Sequence, residues 1–220
     1  MKIENVLFDC DSTLTTVEGI DELARWKGVH QEVVDLTDLA MDGRLDFTQA
    51  LEKRLELIMP SKPDLQRLAE IYLKNAVDGA EEVIRYLKSE RVDVYVISGG
   101  FSPAVDVLAE SLGIDRKNVF ANTIRFDSKG DYAGFDRSLP TAQENGKALV
   151  AKQIPGRKMM VGDGISDAQV KPYVDLFVAF TGVKRRHAVL AEADVEIGYL
   201  RDLLSIVKGE FTAHKKRVKS

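Results

Sequence analysis

Apolar positions along the chain fall into three regimes. Residues 3–8 end in the unbroken run Val6, Leu7 and Phe8, the mark of a strand buried on both faces. From about Glu18 to Leu73 the spacing becomes helical. Ile20, Leu23 and Ala24 form one stripe, and Val33, Val34, Leu36, Leu39 and Ala40 the next. Ala50, Leu51 and Leu55 follow, then Leu65, Leu68, Ala69 and Tyr72. Gly28, Gly43, Pro60 and Pro63 punctuate four helices, and no strand pattern falls among them. Beyond this block short apolar runs alternate with helical stretches. The spacing predicts a helix at 80–87, a strand at 92–97 and a helix at 103–112. Residues 119–121 and 123–126 read as extended, and the turn at 128–131 before 132–135 predicts a β-hairpin. A helix at 148–154, strands at 158–161 and 176–180, a helix after them, a strand at 195–197 and a last helix from Leu200 complete the pattern.

Strands that alternate with helices build a parallel sheet covered on both faces. The expected fold is therefore α/β, with a Rossmann-like parallel sheet core, a small inserted helical cap and a β-hairpin. Residues 1–14 and 76–220 form the expected core, residues 15–75 the cap, and residues 208–220 a basic, flexible tail.

Parallel sheets bind ligands beyond the carboxyl ends of their strands, and three strand ends here carry polar clusters. The first supplies Asp9, Asp11, Ser12 and Thr13; the second Ser98, Gly99 and Gly100; the third Gly162, Asp163, Gly164, Ser166 and Asp167. Asp9 and Asp11 are two residues apart, so they share a face while Cys10 points away. Like charges that close require a proton or a cation. A single Asp is by default a helix cap or turn residue; three acidic or glycine-rich tips together are not. An oxygen-only set of Asp9, Asp11, Asp163 and Asp167 suits Mg²⁺. His30, His187 and His214 show no zinc-ligand spacing. Ser98 with the Gly99 and Gly100 amides suits a phosphate. Lys147 lies near a helix start, where a cation opposes the helix dipole; a phosphate partner and a solvated surface position both remain open for it.

Composition narrows the picture without changing it. The chain has 220 residues, 45% hydrophobic and 30% charged, with a formal net charge of −4; that balance carries no nucleic-acid footprint. The basic tail from His214 to Ser220 reads as a solvated terminus, with a nucleic-acid arm as the alternative. Cys10 is the single cysteine, which excludes an intrachain disulfide and fits a cytoplasmic setting. Acidic neighbours raise its thiol pKa, so it reads as core and not as a nucleophile. No run is long enough to span a membrane. No Gly-x-x-x-x-Gly-Lys-Ser/Thr segment is present, which sets aside a P-loop kinase.

Asp-x-Asp-Ser-Thr, Ile-Ser-Gly-Gly, an isolated Lys and Gly-Asp-Gly-x-x-Asp, in that order, resemble the haloacid dehalogenase superfamily of phosphatases. Glu18–Ala24, Ala40-Met41, Arg54 with Leu57-Ile58, Gly130–Asp136 and Pro140–Ala142 look like its phosphoserine phosphatase family, particularly the animal type. That resemblance implies Asp9 as nucleophile and Asp11 as general acid and base. It implies Mg²⁺ held by Asp9, Asp163 and the Asp11 carbonyl, with Asp167 close by. Phosphate contacts would come from Ser98, Gly99, Gly100 and Lys147. Glu18, Met41, Phe47, Arg54 and Ser166 would line the substrate's organic part. Two departures stand out: Ser166 where relatives carry Asn or Thr, and Asp42 where the animal type carries Gly. Phe47, Leu51 and Arg54 also share a helix face by spacing, and a substrate carboxylate would explain an Arg on an apolar stripe. The implied partner is a small-molecule phosphate monoester, with no nucleic acid and no membrane, and the protein a monomer or homodimer. Another small phosphomonoester, or phosphoryl transfer to an alcohol acceptor, is the alternative chemistry.

Overall fold

A computed structural model describes residues 3–41 and 44–209, with the backbone alone at Met41. In chain order the elements are β1 (Asn5–Phe8), α1 (Gly19–Lys27), α2 (His30–Met41), α3 (Phe47–Ile58), α4 (Lys62–Lys74), α5 (Ala80–Ser89), β2 (Asp93–Ser102), α6 (Ala104–Ser111), β3 (Val119–Phe126), β4 (Tyr132–Phe135), α7 (Gly146–Gln153), β5 (Lys158–Gly162), α8 (Ile165–Ala168), β6 (Leu176–Phe180), α9 (His187–Glu192), β7 (Val195–Ile197) and α10 (Asp202–Val207). The four helices between β1 and α5 match the sequence reading, and so does the β3–β4 hairpin. Residues 210–220 of the basic tail lie outside the described residues, and so do Asp42, Gly43 and the Met41 side chain.

The seven strands form one sheet in the order β4-β3-β2-β1-β5-β6-β7, parallel except for β4. Period-two alternation explains why the strands are apolar throughout. Val6 and Phe8 of β1 enter one core cluster and Leu7 the other; Met159 and Val161 of β5 divide from Met160 in the same way. Helices on both faces bury both sets. The strand order reverses between β1 and β5, and there the crevice opens beyond the strand ends.

One strand departs from the sequence reading. The spacing predicts an end near Ile97, but β2 runs on to Ser102. Its pairing with β3 breaks after Ile97–Phe120 and resumes at Phe101–Asn122. Ser98, Gly99 and Gly100 thus form a bulge inside the strand, a device that re-aims backbone groups beside active sites. Two consecutive glycines hide the continuation from a pattern based on apolar side chains. The four-residue α8 was also not foreseen; it is too short to show a period.

In the intervening block, α4 is well specified. Ser61 accepts from Asp64 N while Asp64 accepts from Ser61 N, a capping box, and Pro63 sits in the first turn. Leu65, Leu68, Ala69 and Tyr72 bury one face of α4, which packs against α6. Gly19 at the start of α1 and Tyr72 of α4 both bond Asp11, which sets the block over the first strand tip.

Candidate active site

The chain leaves β1 through a tight turn. The Cys10 carbonyl accepts from the backbone N–H of Thr13, Leu14 and Thr15, and Ser12 takes a left-handed conformation, φ 54°. Such a backbone costs roughly 1–3 kcal/mol and persists only where its surroundings hold it; the buried Ser12 hydroxyl, donating to Glu18 Oε1 at 2.8 Å, does so here. Cys10 turns into the core, and burial together with Asp11 and Asp9 drives its thiol pKa well up. A thiolate nucleophile is excluded by that environment.

Asp9 and Asp11 leave the turn towards the site but are held by different partners. Asp9 Oδ1 accepts from Cys10 N–H at 2.7 Å and pairs with Lys147 Nζ at 2.7 Å. Asp11 Oδ2 accepts from Gly19 N–H at 2.8 Å, and its Oδ1 accepts from the Tyr72 hydroxyl at 2.5 Å. Burial raises the Asp9 pKa to about 7, assisted by the Asp167 charge and opposed by Lys147. Burial and Glu18 raise Asp11 to about 7.

The second and third tips close on the first. Lys147, the second residue of α7, is buried, and its ammonium also lies 2.7 Å from Asp167 Oδ1. Burial opposes its charge, but Asp167 and Asp9 outweigh that and hold its pKa above the ordinary lysine value. The surface-lysine reading is thereby excluded. Asp167 is fully buried and also caps the short helix by accepting from Gly164 N–H at 2.9 Å. A Cβ on Gly162 would collide with its carboxylate, so glycine is required there. Asp163 is buried, with its pKa raised to about 6 by burial and by the Asp9 charge.

Asp9, Asp163 and Asp167 each offer a carboxylate oxygen within 4.8 Å of the others. Three oxygen donors, all driven towards protonation by burial and mutual repulsion, fit a hard divalent cation. The Asp11 carboxylate is not among them.

Around the Ser98–Gly100 bulge, Ser98 Oγ accepts from Gly100 N–H at 2.9 Å. A side chain on Gly100 would crowd Val105, Ser98 Oγ and Asp11 Oδ1 at 3.0–3.2 Å. Asn122 holds the bulge from β3: its amide donates to the Gly99 carbonyl at 2.8 Å and accepts from the Thr141 hydroxyl at 2.9 Å. Both Asn122 and Thr141 are buried.

The residues expected to line the organic part of a substrate each have protein surroundings of their own. Glu18 is the N-cap of α1, but its side chain makes no capping bond. Its Oε1 accepts from Ser12 Oγ and from Lys184 Nζ at 2.8 Å each, and from Arg186 at 3.3 Å. Burial opposes its charge, yet these donors win and lower its pKa. Arg54 donates to the Ala50 carbonyl at 3.1 Å and to Thr37 Oγ1 at 3.3 Å, so its head is turned inward and not to water. Phe47 and Ser166 are half-buried.

Sequence reasoning missed five of these residues. Lys184 and Arg186 follow β6, and Arg186 Nε also pairs with Asp163 Oδ2 at 3.0 Å. The signal was available, because the polar run from Lys184 to His187 marks a fourth strand tip. Tyr72 was read as core within an apolar stripe. Asn122 carries no local signal, and Thr141 stands in the Pro140–Ala142 stretch of the resemblance without a role read from it.

Comparison with known proteins agrees with this geometry. The haloacid dehalogenase-like hydrolase family matches residues 3–170. The chain is 39% identical to phosphoserine phosphatase of Bos taurus over 92% of this chain and 91% of that one. It is 40% identical to the chloroplastic phosphoserine phosphatase of Arabidopsis thaliana over 87% of this chain and 68% of that one. A solved structure described as a phospho-aspartyl intermediate analogue of phosphoserine phosphatase superposes with a TM-score of 0.78 at 34% identity, covering 94% of this chain and all of the other.

Proposed function

The chain belongs to the phosphoserine phosphatase family of haloacid dehalogenase-like hydrolases, and on this footing we propose that it hydrolyses O-phosphoserine to serine and phosphate through an aspartyl phosphate on Asp9. One observation carries the reading: Lys147 bridges the carboxylates of Asp9 and Asp167 while Asp163 stands within reach of the same point.

Asp9, Asp163 and the Asp11 carbonyl would hold Mg²⁺, which when bound supplies positive charge beside the phosphoryl oxygens. Asp9 attacks phosphorus in line, which splits one slow hydrolysis into two easier steps. Lys147, the Ser98 hydroxyl and the Gly99 and Gly100 amides offset the charge on the transferring group. Asp11 gives its proton to the leaving serine oxygen, then takes one from the water that releases phosphate. A carboxyl pKa raised to about 7 serves both duties near neutral pH. Residues 15–75 act as the cap; Glu18 and Arg54 would meet the ammonium and carboxylate of serine, with Met41, Phe47 and Ser166 around them. Lys184 and Arg186 hold Glu18 by one oxygen and so fix where an ammonium group can be received. We assign the enzyme to serine biosynthesis in the cytoplasm, as a monomer or homodimer. Among the described residues no helix is long and apolar enough to cross a membrane.

Phosphate release from a panel of small phosphomonoesters, with Mg²⁺ and with EDTA, tests the proposal. O-phosphoserine should be the preferred substrate and EDTA should abolish turnover. Equal rates across the panel would overturn the substrate assignment, and EDTA-resistant activity the metal assignment.

A further inference from the structure

The two reactive carboxylates are held by different parts of the molecule. Asp9 is fixed from the sheet core, by the Cys10 amide and by Lys147. Asp11 stands two residues away, yet both of its oxygens are held from the helical block, by Gly19 N–H at the start of α1 and by the Tyr72 hydroxyl in the last turns of α4. We propose that Tyr72 is a positioning residue for proton transfer, holding the Asp11 carboxyl at the angle from which it serves the leaving oxygen.

Packing alone does not account for a tyrosine at this position. Tyr72 is fully buried, and it lies on the α4 face made by Leu65, Leu68 and Ala69. A phenylalanine would fill such a face without bringing a hydroxyl that must find a partner. Among the described residues the hydroxyl finds Asp11 Oδ1 and no other side chain. A phenolic oxygen both donates and accepts. It can donate to the carboxylate and accept from the carboxylic acid, so the same contact supports Asp11 before and after it gives up its proton. Phenylalanine supports neither state. Gly19 points the same way: a Cβ there would run into the Tyr72 hydroxyl, so the absent side chain at Gly19 keeps that oxygen on Asp11. The helical block therefore delivers both hydrogen bonds that orient the acid, and proton transfer depends on how that block is seated.

This inference rests on the reading of Asp11 as the acid for the leaving group, and the test separates the two. Tyr72→Phe, Gly19→Ala and Asp11→Asn are compared in the Mg²⁺-loaded full chain on O-phosphoserine and on p-nitrophenyl phosphate, following the first turnover by rapid quench. The serine alkoxide needs a proton to leave, whereas p-nitrophenolate does not. Positioned proton transfer is worth roughly 10²–10⁴-fold, so losing only its alignment should slow the phosphoserine turnover about 10–100-fold. The p-nitrophenolate burst should stay within about two-fold of the unmodified protein, and Asp11→Asn should show the same selectivity with a larger loss. A Tyr72→Phe protein that loses both substrates equally, or neither, overturns the role of Tyr72 even if Asp11→Asn remains selective. An Asp11→Asn protein without selectivity overturns the reading of Asp11 itself. If Tyr72→Phe does not fold, Gly19→Ala carries the same comparison, because its methyl group displaces the hydroxyl while keeping it in the molecule.

Discussion

Lys147 shows how one side chain holds this site together. Its buried ammonium touches Asp9 and Asp167 at 2.7 Å each, and its pKa stands above the ordinary value because those carboxylates outweigh the cost of burial. Lys147→Met removes the cation and leaves two buried carboxylates uncompensated, which typically costs about 3–5 kcal/mol. We expect a lower Tm in thermal unfolding without metal, and phosphoserine turnover reduced at least about 100-fold, as befits the loss of charge stabilisation on the transferring group. An unchanged Tm would show that Lys147 is not the counter-charge of Asp9. Its reading was open in sequence because a lysine near a helix start has both a surface and a site meaning; only the fold supplies Asp167, twenty residues on, as the second partner. Asp9 and Asp163 were legible because each follows an apolar strand directly, and Asp11 because it stands two residues beyond Asp9. Tyr72 was not, because a tyrosine within an apolar stripe resembles core whatever its hydroxyl touches.

At the scale of elements, the proposed function asks the bulge in β2 to keep its shape for a phosphoryl group. Asn122 on β3 braces it through the Gly99 carbonyl, and Thr141, five residues before Gly146 at the head of α7, braces Asn122. The bulge and the helix that carries Lys147 are thus tied through one buried amide. Asn122→Asp keeps an acceptor for Thr141 but removes the donor to Gly99. Loss of one buried hydrogen bond, near 1–3 kcal/mol, should weaken inhibition by inorganic phosphate about 10-fold while the overall fold persists. An unchanged inhibition constant would deny Asn122 any part in shaping the bulge. The strands and helices themselves were legible, since period two and period 3.6 are written in side-chain polarity. The bulge escaped because glycine carries no polarity to read, and Asn122 because its partners are 23 and 19 residues away and meet only across the sheet.

The whole molecule carries a stored electrostatic cost at the switch point of its sheet, and that cost makes stability depend on pH and metal together. Folding raises Asp9 and Asp11 to about 7 and Asp163 to about 6, from an ordinary value of 3.8. Between those limits the folded chain binds more protons than the unfolded one, so stability falls as pH rises. Below about pH 4 these groups are protonated in both states and contribute no penalty; above about pH 7 the penalty is complete. Lys147 stays charged throughout that interval, because its pKa is raised. A divalent cation held as proposed by Asp9, Asp163 and the Asp11 carbonyl, beside Asp167, would compete with the protons and offset the same repulsion. At 100 times its dissociation constant a ligand adds about 2.7 kcal/mol, which for a chain of this size is a Tm rise of roughly 5–10 °C. The rise on adding Mg²⁺ should therefore be larger at pH 8 than at pH 5, and EDTA should reverse it. Thermal unfolding of the full chain at both pH values, with and without Mg²⁺, measures this. A shift that is the same at both pH values, or larger at pH 5, would mean that the cation does not bind where these carboxylates repel one another.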